Sequence, residues 1–167
     1  MADVNTPQTI NSGTLYDKVF MGSSATCGIV QTTGALKCWG LNVSGMLGLG
    51  HNTVTNSTPA VVDAGTSYTA VAFYYRMCAV TTSGVVKCAG TGPNGELGDG
   101  TYLARNTLSP VSDSSVFTSI TNGVNAFCGL TNTKQARCWG WNIEGAQGTG
   151  IDAYPVSPRN IMKWLTP

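Results

Sequence analysis

The amino-acid sequence predicts an all-β repeat protein of the propeller or array type. The segment 27–50 is written again at 78–100 and at 128–150, and the repeated cysteines and glycines keep one register. Their spacing is 50 residues, as in Cys38, Cys88 and Cys138 or Gly40, Gly90 and Gly140. A period of about 50 residues falls in the range of propeller blades and repeat arrays. No stretch has a convincing helical period, so β-strands are expected throughout.

Each copy contains the signals of several short strands. The residues before the first cysteine are rich in β-branched and aromatic types, which favour strands at 16–20, 68–73 and 116–121. A hairpin is predicted from Cys27 to Trp39, with its turn at 32–34. The glycine-rich segment that follows is expected to be a compact loop, because it holds too many glycines for a helix interior. A further strand, entered at a proline, is predicted near Val61 and Ile161.

The counts between copies predict the domain boundaries. Residues 1–14 have turn-forming and polar types without a period, and are expected to be an N-terminal arm or linker. Residues 15–167 are then one three-repeat domain. Since 27 residues separate consecutive copies, while 26 precede Cys27 and 17 follow Gly150, the ends together complete one more inter-copy segment. The sequence therefore predicts three whole repeats with the chain cut inside a blade.

Composition excludes some classes of function. Only 10% of residues are charged and the formal net charge is +1, with the basic residues scattered along the chain. Nucleic-acid binding needs clustered Lys and Arg, so it is not expected. No apolar run reaches the 18 or so residues of a membrane-spanning helix.

The six cysteines form three local pairs, one in each copy. Their spacing does not match a zinc knuckle, and the single His51 supplies no second imidazole, so no metal is expected. A tight hairpin would place the two cysteines opposite each other, which favours disulfides over the alternative of buried free thiols. Disulfides persist in oxidising compartments, so an extracellular or cell-surface location is predicted, with the periplasm as an alternative. The predicted pairs are Cys27–Cys38, Cys78–Cys88 and Cys128–Cys138.

The motif order Cys-Gly-Ile/Leu, Lys/Arg-Cys-Trp-Gly, Asn-x-x-Gly-x-x-Gly-x-Gly resembles the repeat of the regulator of chromosome condensation family. The resemblance covers residues from about 15 to 167 and implies four-stranded blades in a β-propeller. The middle copy departs from the motif, with Ala89 at the tryptophan position, Gly92 at the asparagine position and Phe73 aligned with Gly22. Members of this family include a nucleotide exchange factor for a small GTPase, chromatin binders and a secreted β-lactamase inhibitor. The matching residues are Cys27, Cys38, Trp39, Gly40, Asn42, Gly45, Leu47, Gly48, Cys128, Cys138, Trp139, Gly140, Asn142, Gly145 and Gly148.

Three blades are too few to close a propeller, which usually has four to eight. Open ends would expose sheet surfaces that need a partner, so self-association is expected. Two copies arranged head to tail would make a six-bladed ring, with segment 161–167 of one chain adding a strand to the first blade of the other. If the rotation did not close, the same contact would make a filament.

The sequence offers little for catalysis or cofactors, and neither is expected. The carboxylates do not share a repeat position that would converge on the axis, and His51 lies in a Thr/Asn-rich loop without a local motif. One basic residue recurs before each second cysteine, and strand alternation predicts an ordinary solvated side chain there. These residues are Lys37, Lys87 and Arg137.

Aromatic residues in and after the degenerate middle copy are the candidate binding residues. Tyr and Arg are enriched at binding hot spots, which singles out Tyr74, Tyr75 and Arg76. Tyr102 and Trp141 could add surface that stacks on sugars. The alternative is that these side chains fill the space left by Ala89.

Two sequons, at Asn42 and Asn56, are candidate glycosylation sites, although Asn42 is also a motif position. Taken together, the residues predict a non-enzymatic extracellular repeat protein that self-assembles and presents a rigid binding or structural surface. The alternatives are a lectin with shallow blade sites and a secreted protein-inhibitor module. Its ligand would be a protein or a glycan.

Overall fold

The computed structural model of the protein describes residues 6–10, 13–148 and 157–160. Within these residues the chain is almost entirely β, with two single-turn 3-10 helices at Val43–Gly45 and Ile143–Gly145. The strands are β1 (Tyr16–Met21), β2 (Ala25–Val30), β3 (Ala35–Leu41), β4 (Thr55–Phe73), β5 (Met77–Thr81), β6 (Val86–Gly90), β7 (Arg105–Pro110), β8 (Phe117–Asn122), β9 (Ala126–Thr131), β10 (Ala136–Gly140) and β11 (Arg159–Asn160).

The strands form three antiparallel blades of four strands each. The long strand β4 belongs to two of them, because residues 55–62 pair with β3 and residues 68–73 pair with β5. Between the two halves the backbone turns at Asp63 (φ 50°) and Gly65 (φ 88°). The first blade is β1, β2, β3 and the first half of β4; the second is the remainder of β4 with β5 to β7; the third is β8 to β11. The predicted all-β fold with four-stranded blades is confirmed.

The expectation that the chain is cut inside a blade is wrong. Each blade takes its four strands from one continuous piece of the chain, and the first blade already has a fourth strand of its own. Arg159 and Asn160 of β11 complete the third blade by pairing with Cys138 and Arg137. Segment 161–167, which was expected to complete the first blade of another copy, lies outside the described residues.

Apolar side chains fill the two spaces between neighbouring blades. Between the first and second blades, Cys27, Ile29 and Leu36 pack against Tyr68 and Met77. Between the second and third blades, Val80 and Val86 pack against Phe117, Phe127 and Trp139. The second blade is therefore buried on both faces, and the packing between blades holds the three blades in one array.

All six cysteines are paired, so the predicted disulfides are confirmed and the free-thiol alternative is wrong. Each bridge joins directly opposed residues of one hairpin, as Cys27 and Cys38 are in β2 and β3. The first bridge also contacts the next blade, since Cys27 Sγ lies 3.6 Å from Met77 Sδ. The disulfides thus staple the two central strands of each blade and contribute to the packing between blades.

The linkers between blades carry a repeated ion pair that sequence reasoning missed. Asp63 and Asp113 are 50 residues apart and therefore do share a repeat position. Lys87 Nζ lies 2.7 Å from Asp63 Oδ2, and Arg137 Nη1 lies 3.4 Å from Asp113 Oδ2. The prediction that Lys87 and Arg137 are ordinary solvated residues is wrong, because each anchors its blade to the linker from the preceding blade.

The first of these pairs is reinforced by a buried tyrosine. Tyr68 donates its hydroxyl hydrogen to Asp63 Oδ2 at 2.5 Å, and Tyr68 is almost completely buried. Burial raises the pKa of Asp63, but the hydrogen bonds from Lys87, Tyr68 and Thr66 outweigh it, so the pKa lies below its ordinary value. Burial and the neighbouring carboxylate raise the pKa of Tyr68, which keeps this phenol protonated as the donor.

Asp63→Asn is therefore expected to lower the free energy of unfolding by about 1 to 2 kcal/mol at pH 7. Asparagine tolerates the left-handed backbone at this position, so the loss reflects the carboxylate and not the turn. Because the pKa of Asp63 is lowered by folding, its contribution is present above the unfolded value of about 4 and disappears as the pH falls through the folded value. Urea denaturation at pH 7 and pH 3 measures this, with exposed Asp17→Asn as the control. An Asp63→Asn deficit that persists undiminished at pH 3 would contradict the assignment.

Candidate binding surface on the loop face

The candidate binding residues lie at one end of the blades. In an antiparallel blade, the turn between the first two strands and the loop after the third strand are at the same end. That end, called the loop face below, carries the turns 22–24, 74–76 and 123–125 and the loops 42–54, 91–104 and 141–148. Tyr74, Tyr75, Arg76, Tyr102 and Trp141 all belong to these segments.

The β4–β5 turn places two tyrosines edge to face. The ring centroids of Tyr74 and Tyr75 are 4.4 Å apart with an interplanar angle of 71°. Tyr75 is 51% exposed and Tyr74 is half-buried. The interaction with the Tyr75 side chain raises the pKa of Tyr74 above its ordinary value. The pair offers apolar ring surface together with hydroxyl groups, a combination typical of protein-binding sites.

Arg76 is committed to the structure and is not a free binding residue. Its Nε donates to Thr91 O at 2.6 Å, its Nη1 to Asn125 Oδ1 at 2.9 Å, and its Nη2 lies 2.9 Å from Glu96 Oε1. Glu96 is completely buried, and its other carboxylate oxygen accepts the main-chain N–H of Asn94 at 2.7 Å. Because Asn125 precedes β9, the guanidinium joins the second blade to the third and fixes the turn that carries the tyrosines.

The structure does not bring all five candidates together. Tyr102 is 57% exposed in loop 91–104, and Trp141 is half-buried in the loop after β10. The Trp141 main-chain N–H donates to Asn125 O at 2.9 Å, which places that loop beside the β8–β9 turn. Among the ring contacts of the described residues, Tyr74 and Tyr75 touch each other, and neither Tyr102 nor Trp141 takes part.

The tyrosines do not fill the space left by Ala89. Ala89 is completely buried, and its methyl group lies against Gly48, with Leu108 and Val62 beside it. A Cβ added to Gly48 would lie 3.2 Å from Leu108 Cγ and 3.4 Å from Ala89 Cβ. The alternative that Tyr74 and Tyr75 replace the missing tryptophan is therefore wrong, because aliphatic side chains occupy that space.

Phe73 is a strand residue, not a turn residue. It pairs with Met77, as Met21 pairs with Thr26 in the first blade, so three residues separate the last paired residues in the second blade and four separate them in the first. The alignment of Phe73 with Gly22 is therefore corrected. The Phe73 ring packs directly over Gly22, where an added Cβ would lie 2.5 Å from the ring.

The sequon at Asn42 is not an accessible glycosylation site. Asn42 is completely buried, its Nδ2 donates to His51 O at 3.0 Å, and its Oδ1 accepts the Leu47 main-chain N–H at 3.0 Å. Asn142 makes the same bond to Gln147 N at 2.9 Å, so this asparagine builds the glycine-rich loop. Asn56 is half-buried and donates to Thr58 O at 2.6 Å, and its glycosylation stays a prediction.

Sequence reasoning missed the ion pair between Glu96 and Arg76. The signal lay in comparing the copies, because the middle copy alone has an arginine two residues before its first cysteine and a glutamate eight residues after its second. The other copies have Ala25 with Met46, and Ala126 with Ala146. An arginine and a glutamate that replace apolar residues in the same copy are the pattern that could have predicted this buried ion pair.

No group of three or more potential metal ligands is found in the described parts of the chain. In those parts there is also no helix that is long and apolar enough to cross a membrane.

The blades and their loops match solved propeller structures. The chain aligns with yeast RCC1 (Prp20), crystallised bound to Kap60, with a TM-score of 0.80 at 16% identity over 90% of this chain and 38% of Prp20. Human WBSCR16 aligns with a TM-score of 0.79 at 20% identity over 92% of this chain and 39% of that protein. The fold is that of the RCC1-like β-propellers.

The chain thus spans less than half the length of these RCC1-like structures. A propeller ectodomain of the Arabidopsis thaliana receptor kinase ACR4 also aligns, with a TM-score of 0.51 at 18% identity over 78% of this chain and 41% of that one. No family model and no curated protein sequence matches the chain. The likeness to the RCC1-like propellers therefore lies in the fold, because sequence identities of 16% and 20% are too low to indicate a shared function.

Proposed function

We propose that this protein is a non-enzymatic, extracellular RCC1-like module that binds a protein partner through its loop face and assembles with copies of itself. The observation that carries the proposal is the Tyr74–Tyr75 pair, with Tyr75 exposed, on a turn fixed by Arg76 and Glu96. Binding residues held by a rigid scaffold lose little conformational entropy when they engage a partner. Tyrosine is also enriched among the residues that dominate binding energy.

The neighbouring structures support a binding role. Yeast Prp20, a protein that contains this fold, was crystallised with a protein partner, Kap60, which supports a protein-binding role for this chain. The ACR4 neighbour is an ectodomain, so a propeller with fold-level similarity works outside a cell. Three disulfides in a chain of 167 residues agree with an oxidising compartment.

Catalysis is not part of the proposal. His51 Nδ1 accepts the Thr53 main-chain N–H at 3.3 Å, and the buried carboxylate of Glu96 is neutralised by Arg76. The carboxylates of Asp63 and Asp113 are paired with Lys87 and Arg137. These groups therefore have structural partners.

A lectin is the second candidate, favoured by the exposure of Tyr102 and the partial exposure of Trp141 on the loop face. Aromatic rings of this kind can stack on sugars, but these two belong to different loops. A protein-inhibitor module would use the same face and is a special case of protein binding.

Tyr75→Ala is expected to weaken binding to the protein partner by at least about tenfold, as loss of a hot-spot side chain does. The disulfide-bonded protein would be tested by surface plasmon resonance against purified ectodomains and secreted proteins, and in parallel on a glycan array. Val85→Ala is the matched control, because Val85 is exposed at the opposite end of the blades. Glycan binding that disappears with Trp141→Ala and survives Tyr75→Ala would favour the lectin and contradict the protein-binding proposal.

A further inference from the structure

The first blade exposes a sheet face that the other two blades bury. Five repeat positions on each blade face the preceding blade. In the second blade all five are buried under the first, and in the third the aromatic members are buried under the second. In the first blade Met21 is 79% exposed and Val19 is 59% exposed. By strand register the sets are Tyr16, Val19, Met21, Thr26 and Trp39; Tyr68, Val71, Phe73, Met77 and Ala89; and Phe117, Ile120, Asn122, Phe127 and Trp139.

The third blade exposes the other sheet face, the one that the following blade covers in the first and second blades. Its glycine-rich loop has the same backbone as the other two, with φ of 67° at Gly145 and 61° at Gly148 against 69° at Gly45 and 68° at Gly48. Residues 45–48 and 95–98 are buried beneath the next blade, whereas Gly145, Ala146 and Gly148 are exposed. A Cβ on Gly45 would lie 2.5 Å from Asn106 Cβ of the second blade, whereas one on Gly145 would meet nothing within 4 Å of the described structure.

Inside the chain, a loop of this kind receives a tryptophan from the following blade. Trp139 packs over Gly98, where an added Cβ would lie 2.8 Å from the indole ring, and its Nε1 donates to Glu96 O at 3.1 Å. The acceptor is a main-chain oxygen, so any residue at position 96 can supply it. Trp39 is the repeat equivalent of Trp139, and it is half-exposed on the uncovered face of the first blade.

A second internal contact repeats the pattern. Phe73 of the second blade packs over Gly22, in the turn of the first blade. Met21 is the register equivalent of Phe73, and Gly123 begins the corresponding turn of the third blade. A Cβ added to Gly123 would meet nothing within 4 Å of the described structure. The chain therefore carries both halves of each contact, one half on its first blade and the other on its third.

We propose that a second copy of this chain covers the first blade in a head-to-tail contact that reproduces the interface between its own blades. Trp39 of one copy packs against Gly148 of the second copy and donates its indole hydrogen to the main-chain oxygen of Ala146. Met21 of the first copy lies over Gly123 of the second. The inference deepens the self-assembly in the proposed function by naming the surfaces that meet, and it is independent of what binds the loop face.

A second copy fits this surface because the contact continues an interface that the chain already makes twice. The outer face of the third blade has Leu130 and Ala136 at the positions of Ile29 and Leu36, which are buried between the first and second blades. Leu130 and Ala136 are only half-buried. An interface whose two sides differ is heterologous, so two copies close a ring if the rotation permits and otherwise extend as a filament.

Light scattering would measure the mass of the disulfide-bonded protein and of two variants. Met21→Glu places a charge on the first-blade face at an exposed residue, and Leu130→Glu does so on the third-blade face. The wild type is expected at about twice the 17.4 kDa chain mass, or at higher multiples for a filament. Each variant alone should associate at least tenfold more weakly. Val54→Glu, at an exposed apolar residue in loop 42–54, is the matched control and should associate as the wild type does.

Mixing the two variants tests the head-to-tail direction. Met21→Glu keeps an intact third blade and Leu130→Glu keeps an intact first blade, so the mixture should form a complex with one chain of each. If Leu130→Glu does not fold, as judged by circular dichroism, Ala136→Arg replaces it. The proposal is overturned if the wild type stays monomeric at millimolar concentration, or if Met21→Glu dissociates while both third-blade variants associate normally. Partner binding that depends on Tyr75 does not require self-association, so either of these results would leave it intact. The two proposals can therefore fail separately.

Discussion

Trp139→Ala is expected to lower the free energy of unfolding by about 3 to 5 kcal/mol, the range for removing a large aromatic side chain from a packed core. Trp139 is completely buried between the second and third blades. Its ring stacks on Phe127 with centroids 6.0 Å apart, and its indole hydrogen bonds to Glu96 O. The glycine beneath it, Gly98, has no side chain with which to fill the cavity.

Trp39→Ala is the matched control, because Trp39 stands at the same repeat position with the same neighbours in sequence. In the isolated chain the centroid of its ring lies 6.1 Å from that of Tyr16, and the side chain remains half-exposed. The expected loss in the free energy of unfolding is therefore at most about half of that for Trp139→Ala. Urea denaturation at low protein concentration, with the disulfides intact, measures both. Equal losses in the free energy of unfolding for the two variants would show that the stability contributed by Trp139 does not come from the blade interface.

Arg76→Met is expected to cost about 3 to 5 kcal/mol, because it leaves a buried carboxylate without its counter-charge. Glu96 is completely buried and would retain only the hydrogen bonds from Asn94. The change also removes the link from Arg76 to Asn125, which joins the second and third blades.

The double variant Arg76→Met with Glu96→Gln separates charge from packing. Removing both charges is expected to restore at least half of the lost stability, since the penalty for an unpaired buried charge disappears. Arg105→Met is a control that breaks a more exposed pair, with Asp99, and is expected to cost about 1 kcal/mol or less. If the double variant is no more stable than Arg76→Met, the loss arises from packing and the electrostatic account is wrong.

The repeat architecture was predictable because it depends on local chemistry. Opposed cysteines in a short hairpin define the pairing of two strands, and the glycines of the loops keep positive φ in all three copies. A 50-residue period then sets the number of blades. The continuous path of β4 from one blade into the next was not predicted, since it depends on the turn at Asp63 and Gly65, which lies between two strand signals.

The candidate site was predicted less completely. Tyr75 is exposed on the loop face and its role in binding stays a prediction. Arg76, chosen because arginine is common at hot spots, is instead held by Glu96 and Asn125. Lys87 and Arg137 were interpreted as solvated, although each is paired with an aspartate from the linker before its blade. In these cases the partner is distant in sequence, and residue type alone does not reveal it.

The sequence by itself determined the repeat, the strands of each blade and the three cysteine pairs, because each depends on residues within one copy. The tertiary structure alone decided which copies of a repeated residue are covered. Trp39 and Trp139 share the local sequence Cys-Trp-Gly, yet one is half-exposed and the other is completely buried. The physical reason is that the preceding blade buries this face of a blade, and in the described structure no blade precedes the first.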